Sequence, residues 1–525
     1  MGKYINTGNE GFCSARKGEY VDKSGLIALV NNKLFSEMRF TCLSRCRRFG
    51  KSMAAKMLCA YYDKSCDSRA LFADLEIAHA PSFEEHLNKY PVIYLDLTSF
   101  IVRYKDESIV AQMDKALREE VVEAYPNVEV KETDDLMDCL FRIADATGER
   151  FIFIIDEWDA ICREFPSGTT AMDRYVGWLR RMFKDVIANR VFAGVYMTGI
   201  LPIKKYQTQS ALNNFQEYSM VKPGGMARFF GFTKDEVRAL AEKHSMDFDE
   251  LEKWYDGYQI GNELSIFNPN SVMTAIKEQW CEGYWSRTGA ADSVTHYIQM
   301  NYDGLKDDII AMLAGERRPV NPVGFKNDTS IILSRDDVLT VLIHLGYLTY
   351  DRVHQECNIP NREVAGEMEI AVRDTGWSNV AEALKQSKQL LQATLNGDAD
   401  AVAQGVDAAH DDNTSILSYN NENSMACVLS IAYYYAKNDY IIHRELASGR
   451  GFADLVLLPR KNVSSPALVL ELKYDKEADT AIEQIKRKKY PAKVAQHTGE
   501  LLLVGINYDK DTKTHTCIIE RWEKE

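Results

Sequence analysis

A chain of 525 residues, 46% hydrophobic and 27% charged, has the composition of a soluble globular protein and enough length for two to four domains with their own cores. Its formal net charge of −14 argues against a protein coated in nucleic acid, though it does not exclude a local basic groove. No run of eighteen apolar residues occurs, the opening MGKYINTGNEGF has no apolar signal region, and the eleven cysteines include no C-x-x-C pair, so a cytoplasmic protein with reduced thiols and no membrane partner is expected.

In chain order, Gly18–Asn31 reads as a short extended piece running into a helix, and Phe40–Leu43 as a short apolar strand. A basic loop follows, ending in Gly50-Lys51-Ser52, and then a helix-forming run, Met53–Tyr62. Strand, loop and helix in that order make a phosphate-binding site. Backbone N–H groups and the helix start face one anion, Lys51 adds a point charge on the β- and γ-phosphates, and Ser52 adds a hydroxyl on Mg²⁺. The full motif wants glycine at position 45, where this chain has Arg45. Val92–Leu97 suits a fully buried parallel strand, and Glu107–Ala124 and Asp134–Thr147 are amphipathic helices. Phe151–Asp159 (FIFIIDEWD) ends a buried strand in two carboxylates: Asp156 for the Mg²⁺ shell and Glu157 to polarise an attacking water. Val191–Ile200 is a fourth apolar run, and its Thr198 falls where a neighbouring strand senses the γ-phosphate. Strands alternating with helices imply an α/β domain with a mainly parallel sheet and its ligand at the strands' C-terminal edge.

S-R-C-R-R-F-G-K-S, the preceding Y-V-D-K-S-G-L-I, and I-I-D-E-W-D resemble the bacterial AAA-ATPase-like proteins, P-loop proteins usually joined to a C-terminal nuclease-like domain. That family's loop typically reads R-P-R-R-F-G-K-S. The resemblance therefore explains the missing glycine, carries Arg45 into the ATP-binding set, and puts Cys46 in place of the usual proline. It extends through Phe230–Val237, Trp254–Tyr258, Phe267–Val272, His344–Thr349 and Ile359–Val364. Trp254–Tyr258 (WYDGY) reads as a packed turn rather than a ligand grip. Arg228, in R-F-F-G-F-T, is a candidate to reach a phosphate from a neighbouring subunit. Lys277–Leu348 is helix-rich and carries no chemistry of its own, and the small, acidic Asp398–Ser415 has room for a short helix yet is also the best candidate boundary before the last domain.

In that domain Tyr440–Leu446, Phe452–Leu458 and Ala467–Tyr474 read as strands. Asp454 precedes Glu471 by seventeen positions, and the two-residue period puts Glu471 and Lys473 on one strand face. Two carboxylates and a lysine there would hold Mg²⁺ and position a hydrolytic water, as metal-assisted phosphodiester cleavage requires, with Glu445 adding a further ligand or contact. The arrangement resembles the PD-(D/E)XK nucleases, whose pattern Gln484 and Tyr490 also match. Lys486, Arg487, Lys488 and Lys489 follow and would contact a phosphate backbone. No zinc spacing, nucleophile elbow or dinucleotide fingerprint is present.

The expected architecture is an α/β P-loop NTPase (residues 1–245), a helical middle domain (246–405) and an α/β PD-(D/E)XK nuclease-like domain (406–525). The expected function is ATP binding and hydrolysis, with the nucleotide state controlling a Mg²⁺-dependent nuclease that acts on nucleic acid. A nucleotide-switched module that grips nucleic acid without cutting, and a signalling ATPase with a protein partner, stay open, as does a homo-oligomer.

Overall fold

The computed structural model describes residues 2–104, 106–165, 168–203, 205–206, 209–210, 212–261, 263–285, 291–300, 302, 304–313, 315–326, 332–374, 378–413, 429, 432–448, 451–460, 465–475, 478–487 and 499–522. Its contacts divide into two compact units, Met1–Thr288 with Pro319–Val364, and Gly289–Arg318 with Ala365–Glu525.

The first unit is built on β1 Phe40–Ser44, β2 Val92–Asp96, β3 Phe151–Asp156, β4 Phe192–Gly199 and β5 Gln216–Tyr218. Their spatial order is β2-β3-β4-β1-β5, and every neighbouring pair is parallel. β3 and β4 are buried at every position. Phe153 and Ile155 enter one core with Cys42 and Val195, while Ile152 and Ile154 enter another with Leu43 and Tyr196. Because both faces are covered, these strands read as continuous apolar runs instead of alternating ones. A fully buried phenylalanine such as Phe153 is worth about 3–5 kcal/mol against alanine. The covering helices are α1 Gly25–Asn31, α2 Lys51–Tyr62, α3 Ile109–Ala124, α4 Leu136–Thr147, α5 Ala160–Glu164 and α6 Thr170–Lys184. α4 starts where the Asp135 carboxylate accepts the Asp138 N–H, and it stops at Gly148, whose φ of +74° closes the last turn.

A small antiparallel sheet follows, β6 Phe232–Thr233, β7 Tyr258–Ile260 and β8 Glu263–Phe267, with β8 in the middle. With it come α7 Lys234–His244, α8 Phe248–Tyr255 and α9 Pro269–Glu278. Thr233 and Glu236 cap α7 reciprocally. The Asn268 side chain accepts the Asn270 and Ser271 N–H groups at the start of α9. Trp254–Tyr258 is a packed turn: Tyr255 and Tyr258 are fully buried, and a Cβ on Gly257 would meet the Pro360 carbonyl at 2.0 Å. The unit closes with α10 Arg335–Leu345 and the hairpin β9 Thr349–Asp351 and β10 Glu356–Asn358.

The second unit carries α11 Ser378–Asn396 and α12 Ala399–Asn413, then β11 Tyr440–Ser448, β12 Gly451–Pro459, β13 Ala467–Tyr474, α13 Ala478–Arg487, β14 Leu501–Asp509 and β15 Thr514–Trp522. The strands lie in chain order and pair antiparallel except β13 and β14, which are parallel. Leu455, Leu457, Leu468 and Leu470 pack with α12, and Val456, Val469 and Leu503 pack with Ile482 and Ile485 of α13. α12, Ala399–Asn413, lies within the stretch that reads in sequence as a boundary. Val402 and Val406, one turn apart, enter the core.

Candidate functional site

The chain leaves β1 at Ser44 and turns through residues 45–50 before α2 begins at Lys51. The turn needs left-handed backbone at Arg48, φ +69°, and at Gly50, φ +87°. Among the described residues, no atom beyond its own chain neighbours lies within 4 Å of where a Cβ on Gly50 would stand. The Lys51 ammonium donates to the Arg45 and Cys46 carbonyls, both at 3.1 Å, and stands 3.7 Å from Glu157 Oε1. Later parts of the same unit back the loop. The Tyr258 ring meets Phe49 edge-on at 5.0 Å, and its hydroxyl donates to the Gly346 carbonyl at 2.9 Å. A Cβ on Gly346 would lie 2.7 Å from that of Cys46.

The sheet order sets β4 between β1 and β3, so three strand ends converge beside the loop. Thr198 Oγ1 donates to Asp156 Oδ1 at 3.2 Å, the Tyr94 hydroxyl reaches Oδ2 at 3.5 Å, and Ser52 hydrogen-bonds the same carboxylate. Burial pushes the Asp156 carboxyl up, and Ser52 and then Lys51 oppose it. Glu157 follows with φ +53°, and its N–H donates to Asp156 Oδ1 at 3.1 Å. Its Oε2 accepts from Arg163 at 2.5 Å. Gly199 allows the close approach of this turn, since a Cβ there would meet Asp159 Oδ1 at 2.6 Å and the Trp158 ring at 2.7 Å.

A cavity of about 430 Å³ opens over the loop, within the roughly 300–1,000 Å³ of small-ligand sites. Gly50, Lys51, Ser52 and Glu157 line it together with Arg47 and Arg48, and with apolar Val21, Met57, Phe232 and Met273. Cations at the loop and apolar side chains beyond it suit a phosphate tail joined to a flat base, and Glu19, Lys23 and Asn270 also line the cavity. Arg45 is not in the lining. It is fully buried, its guanidinium donates to the Ser44 and Tyr218 carbonyls at 2.9 and 3.4 Å, and burial pushes its pKa down to about 10. Arg228 is exposed, with its guanidinium 5.5 Å from the Phe229 ring, and is outside the lining as well. Arg47 and Arg48 are the loop cations that the motif, read residue by residue, leaves unassigned.

In the second unit, Glu471 and Lys473 are both buried on β13, with Lys473 Nζ 3.3 Å from Glu471 Oε1. Gln484 of α13 donates to the same oxygen. A Cβ on Gly505, the β14 partner of Glu471, would collide with the Ala478 carbonyl at 2.8 Å, so glycine there lets α13 close over the site. Leu455 pairs with Leu470, and Arg444 and Leu446 pair with Leu455 and Ala453. The backbones of Glu445, Asp454 and Glu471 therefore fall at one level across three strands. The side chains of Glu445, Asp454 and Arg487, and all of Lys488, Lys489 and Tyr490, lie outside the described residues. Lys486 pairs with Glu520 at 2.6 Å.

Residues 10–208 match the model of the predicted AAA-ATPase family, and residues 420–518 match that of the PD-(D/E)XK nuclease superfamily. One chain thus carries a region similar to predicted AAA-ATPases and, C-terminal to it, a region similar to the PD-(D/E)XK nuclease superfamily. It is 24% identical over 552 aligned positions to a protein of Azotobacter chroococcum mcd 1 named "Uncharacterized protein in vnfD 5'region", covering 98% of both chains. Among solved structures it is similar to the Aeropyrum pernix ORC2 protein in ADPNP-ADP complexes, at 11% identity, 68% of this chain, 94% of that one and a TM-score of 0.25. It is also similar to the Aeropyrum pernix ORC1 protein in complex with DNA, at 12% identity, 71% and 98% coverage and a TM-score of 0.24. Scores at that level say nothing of this chain's function.

In the AAA-ATPase region the donor set fits a nucleotide with Mg²⁺. Open room at Gly50 and three loop cations suit the phosphates, and the Ser52 hydroxyl beside the Asp156 carboxylate suits the metal. Of the expected nuclease carboxylates Glu445, Asp454 and Glu471, Glu471 is the one whose side-chain surroundings are described. Among the described residues no helix is long and apolar enough to cross a membrane.

Proposed function

We propose that the chain binds and hydrolyses ATP, and that its nucleotide state controls a Mg²⁺-dependent nuclease activity of the C-terminal domain on nucleic acid. The observation that carries the first half is the meeting of Lys51, Ser52, Asp156, Glu157 and Thr198 at one sheet edge beside an open cavity. Lys51, with Arg47 and Arg48, would hold the phosphates. Ser52 and Asp156 would hold Mg²⁺, which when bound neutralises charge developing on the transferred phosphoryl group. Glu157 would orient the attacking water, and Thr198 would read the γ-phosphate. The second half is supported by buried Glu471 and Lys473 sharing one strand face under α13. Glu471 would hold the metal with Asp454, and Lys473 would assist the water.

The test is calorimetry with ATP and Mg²⁺ on Lys51→Ala and Glu157→Gln. Lys51→Ala should lose binding, and Glu157→Gln should bind like the parent yet turn over far more slowly. Equal binding by Lys51→Ala and the parent would refute the assignment.

A further inference from the structure

We propose that Arg163 is a positioning residue for hydrolysis: it holds one carboxylate oxygen of Glu157 and leaves the other facing Lys51 and the nucleotide cavity. The inference rests on the reading of Glu157 given above. The two oxygens of Glu157 are divided between two cations. Oε2 takes the Arg163 guanidinium at 2.5 Å, and Oε1 lies 3.7 Å from Lys51 Nζ. Phosphates in the cavity would compete for Lys51, and Arg163 would then be the cation still on Glu157.

Arg163 is itself fixed. It sits on α5 four residues after Asp159 and makes an ion pair with it at 3.3 Å. Asp159 is fully buried, and its Oδ2 accepts the N–H groups of Ile200 at 3.2 Å and Leu201 at 2.9 Å, just beyond β4. The series Leu201, Asp159, Arg163, Glu157 thus ties the carboxylate to the end of the strand that carries Thr198. Burial would lower the Arg163 pKa, but Asp159 and Glu157 outweigh it and hold the guanidinium above its ordinary value, so it stays charged. Glu157 also needs such a hold. Its φ of +53° is a conformation that a residue other than glycine keeps only when its surroundings impose it.

The experiment measures ATP turnover at saturating ATP and Mg²⁺, with ATP binding by calorimetry, for the parent, Arg163→Ala, Arg163→Lys, Glu157→Gln and the Arg163→Ala/Glu157→Gln double variant. Arg163→Ala should lose about 10- to 100-fold in kcat, as outer partners of functional groups typically do, with ATP affinity unchanged. Arg163→Lys, which keeps the charge and guards against a folding defect, should recover part of that rate. In the double variant the second substitution should add no further loss, because a residue acting through Glu157 has nothing left to position. Turnover of Arg163→Ala at or above the parent's would overturn the proposal. So would a full additional loss in the double variant, or a loss of affinity as large as the loss of rate. A failed nucleotide assignment would show separately, as unchanged ATP binding by Lys51→Ala.

Discussion

Replacing His344 by phenylalanine should make the first unit more resistant to acid than the parent, by about 3 kcal/mol at pH 4. His344 lies on α10, almost fully buried, with its ring stacked on Phe325 at 6.2 Å and, among the described residues, its Nδ1 without a hydrogen-bond partner. Burial, and then the charge of Arg45, push its pKa from 6.5 down to about 3. The unfolded chain takes up this proton as pH falls through 6.5, and the folded chain refuses it until about 3. The stability held by the neutral ring is therefore intact above 6.5 and is lost progressively toward 3. From 6.5 to 4 is 2.5 pH units, which at about 1.36 kcal/mol each comes to about 3 kcal/mol. Phenylalanine keeps the aromatic volume and cannot protonate, so at pH 7 the change should be within about 1.5 kcal/mol. The assay is urea denaturation of both proteins between pH 7 and pH 4, following the transition that ATP with Mg²⁺ shifts. Parallel pH dependences would mean that His344 is protonated or solvated in the native protein, and the reasoning would fail.

Glu471→Ala and Lys473→Ala should abolish cleavage of a labelled nucleic acid while filter binding at moderate salt is largely kept; neutralising Lys486, Arg487, Lys488 and Lys489 together should instead weaken binding and flatten its salt dependence. Gly199→Ala should destabilise the first unit by about 1–3 kcal/mol in thermal or urea melts, since its Cβ has no room beside Asp159 and Trp158; a neutral result would mean the turn yields freely. With saturating ATP, Glu157→Gln and Lys51→Ala should differ in cleavage rate or nucleic-acid affinity by about 5- to 150-fold, the range of ordinary allosteric coupling. Identical values would mean two independent activities on one chain.

Where consecutive residues make up a candidate site, the sequence is enough to mark it. The strand, loop and helix around Lys51, the acidic end of β3, and Glu471-x-Lys473 each announce themselves within a few positions. Contacts made by sheet order were legible only in part. The fourth apolar run placed Thr198 on a neighbouring strand, but nothing in the spacing says that it would bond Asp156, or that Tyr94 would reach the same carboxylate. Arg163 has no periodic relation to Glu157, because the left-handed turn at Glu157 sets their meeting. Arg45 shows the opposite error. Its motif position suggested a phosphate ligand, but its side chain lies under the loop, where the His344 pKa feels its charge, and Arg47 and Arg48 line the cavity instead. The acidic composition of Asp398–Ser415 hid two buried valines on one helix face.

The contacts of Cys46 with Gly346 and of Phe49 with Tyr258 also set an order of events during synthesis. Cys46 and Gly346 are 346 − 46 = 300 residues apart. At roughly 5–20 residues per second, the ribosome delivers the second about 15–60 s after the first. Through that interval a nascent chain has every residue of the loop but lacks the wall behind it. A nucleotide would meet an unsupported loop, and the apolar surface of Phe49 would be open to whatever else is nearby. Long-range closure of this kind slows folding, because the entropy of the intervening chain is lost before the contact forms. A fragment ending at residue 245 holds the whole of the loop motif and stays permanently in that early condition, so the intact chain, or one reaching past Gly346, is the smallest unit in which this loop acquires its native backing.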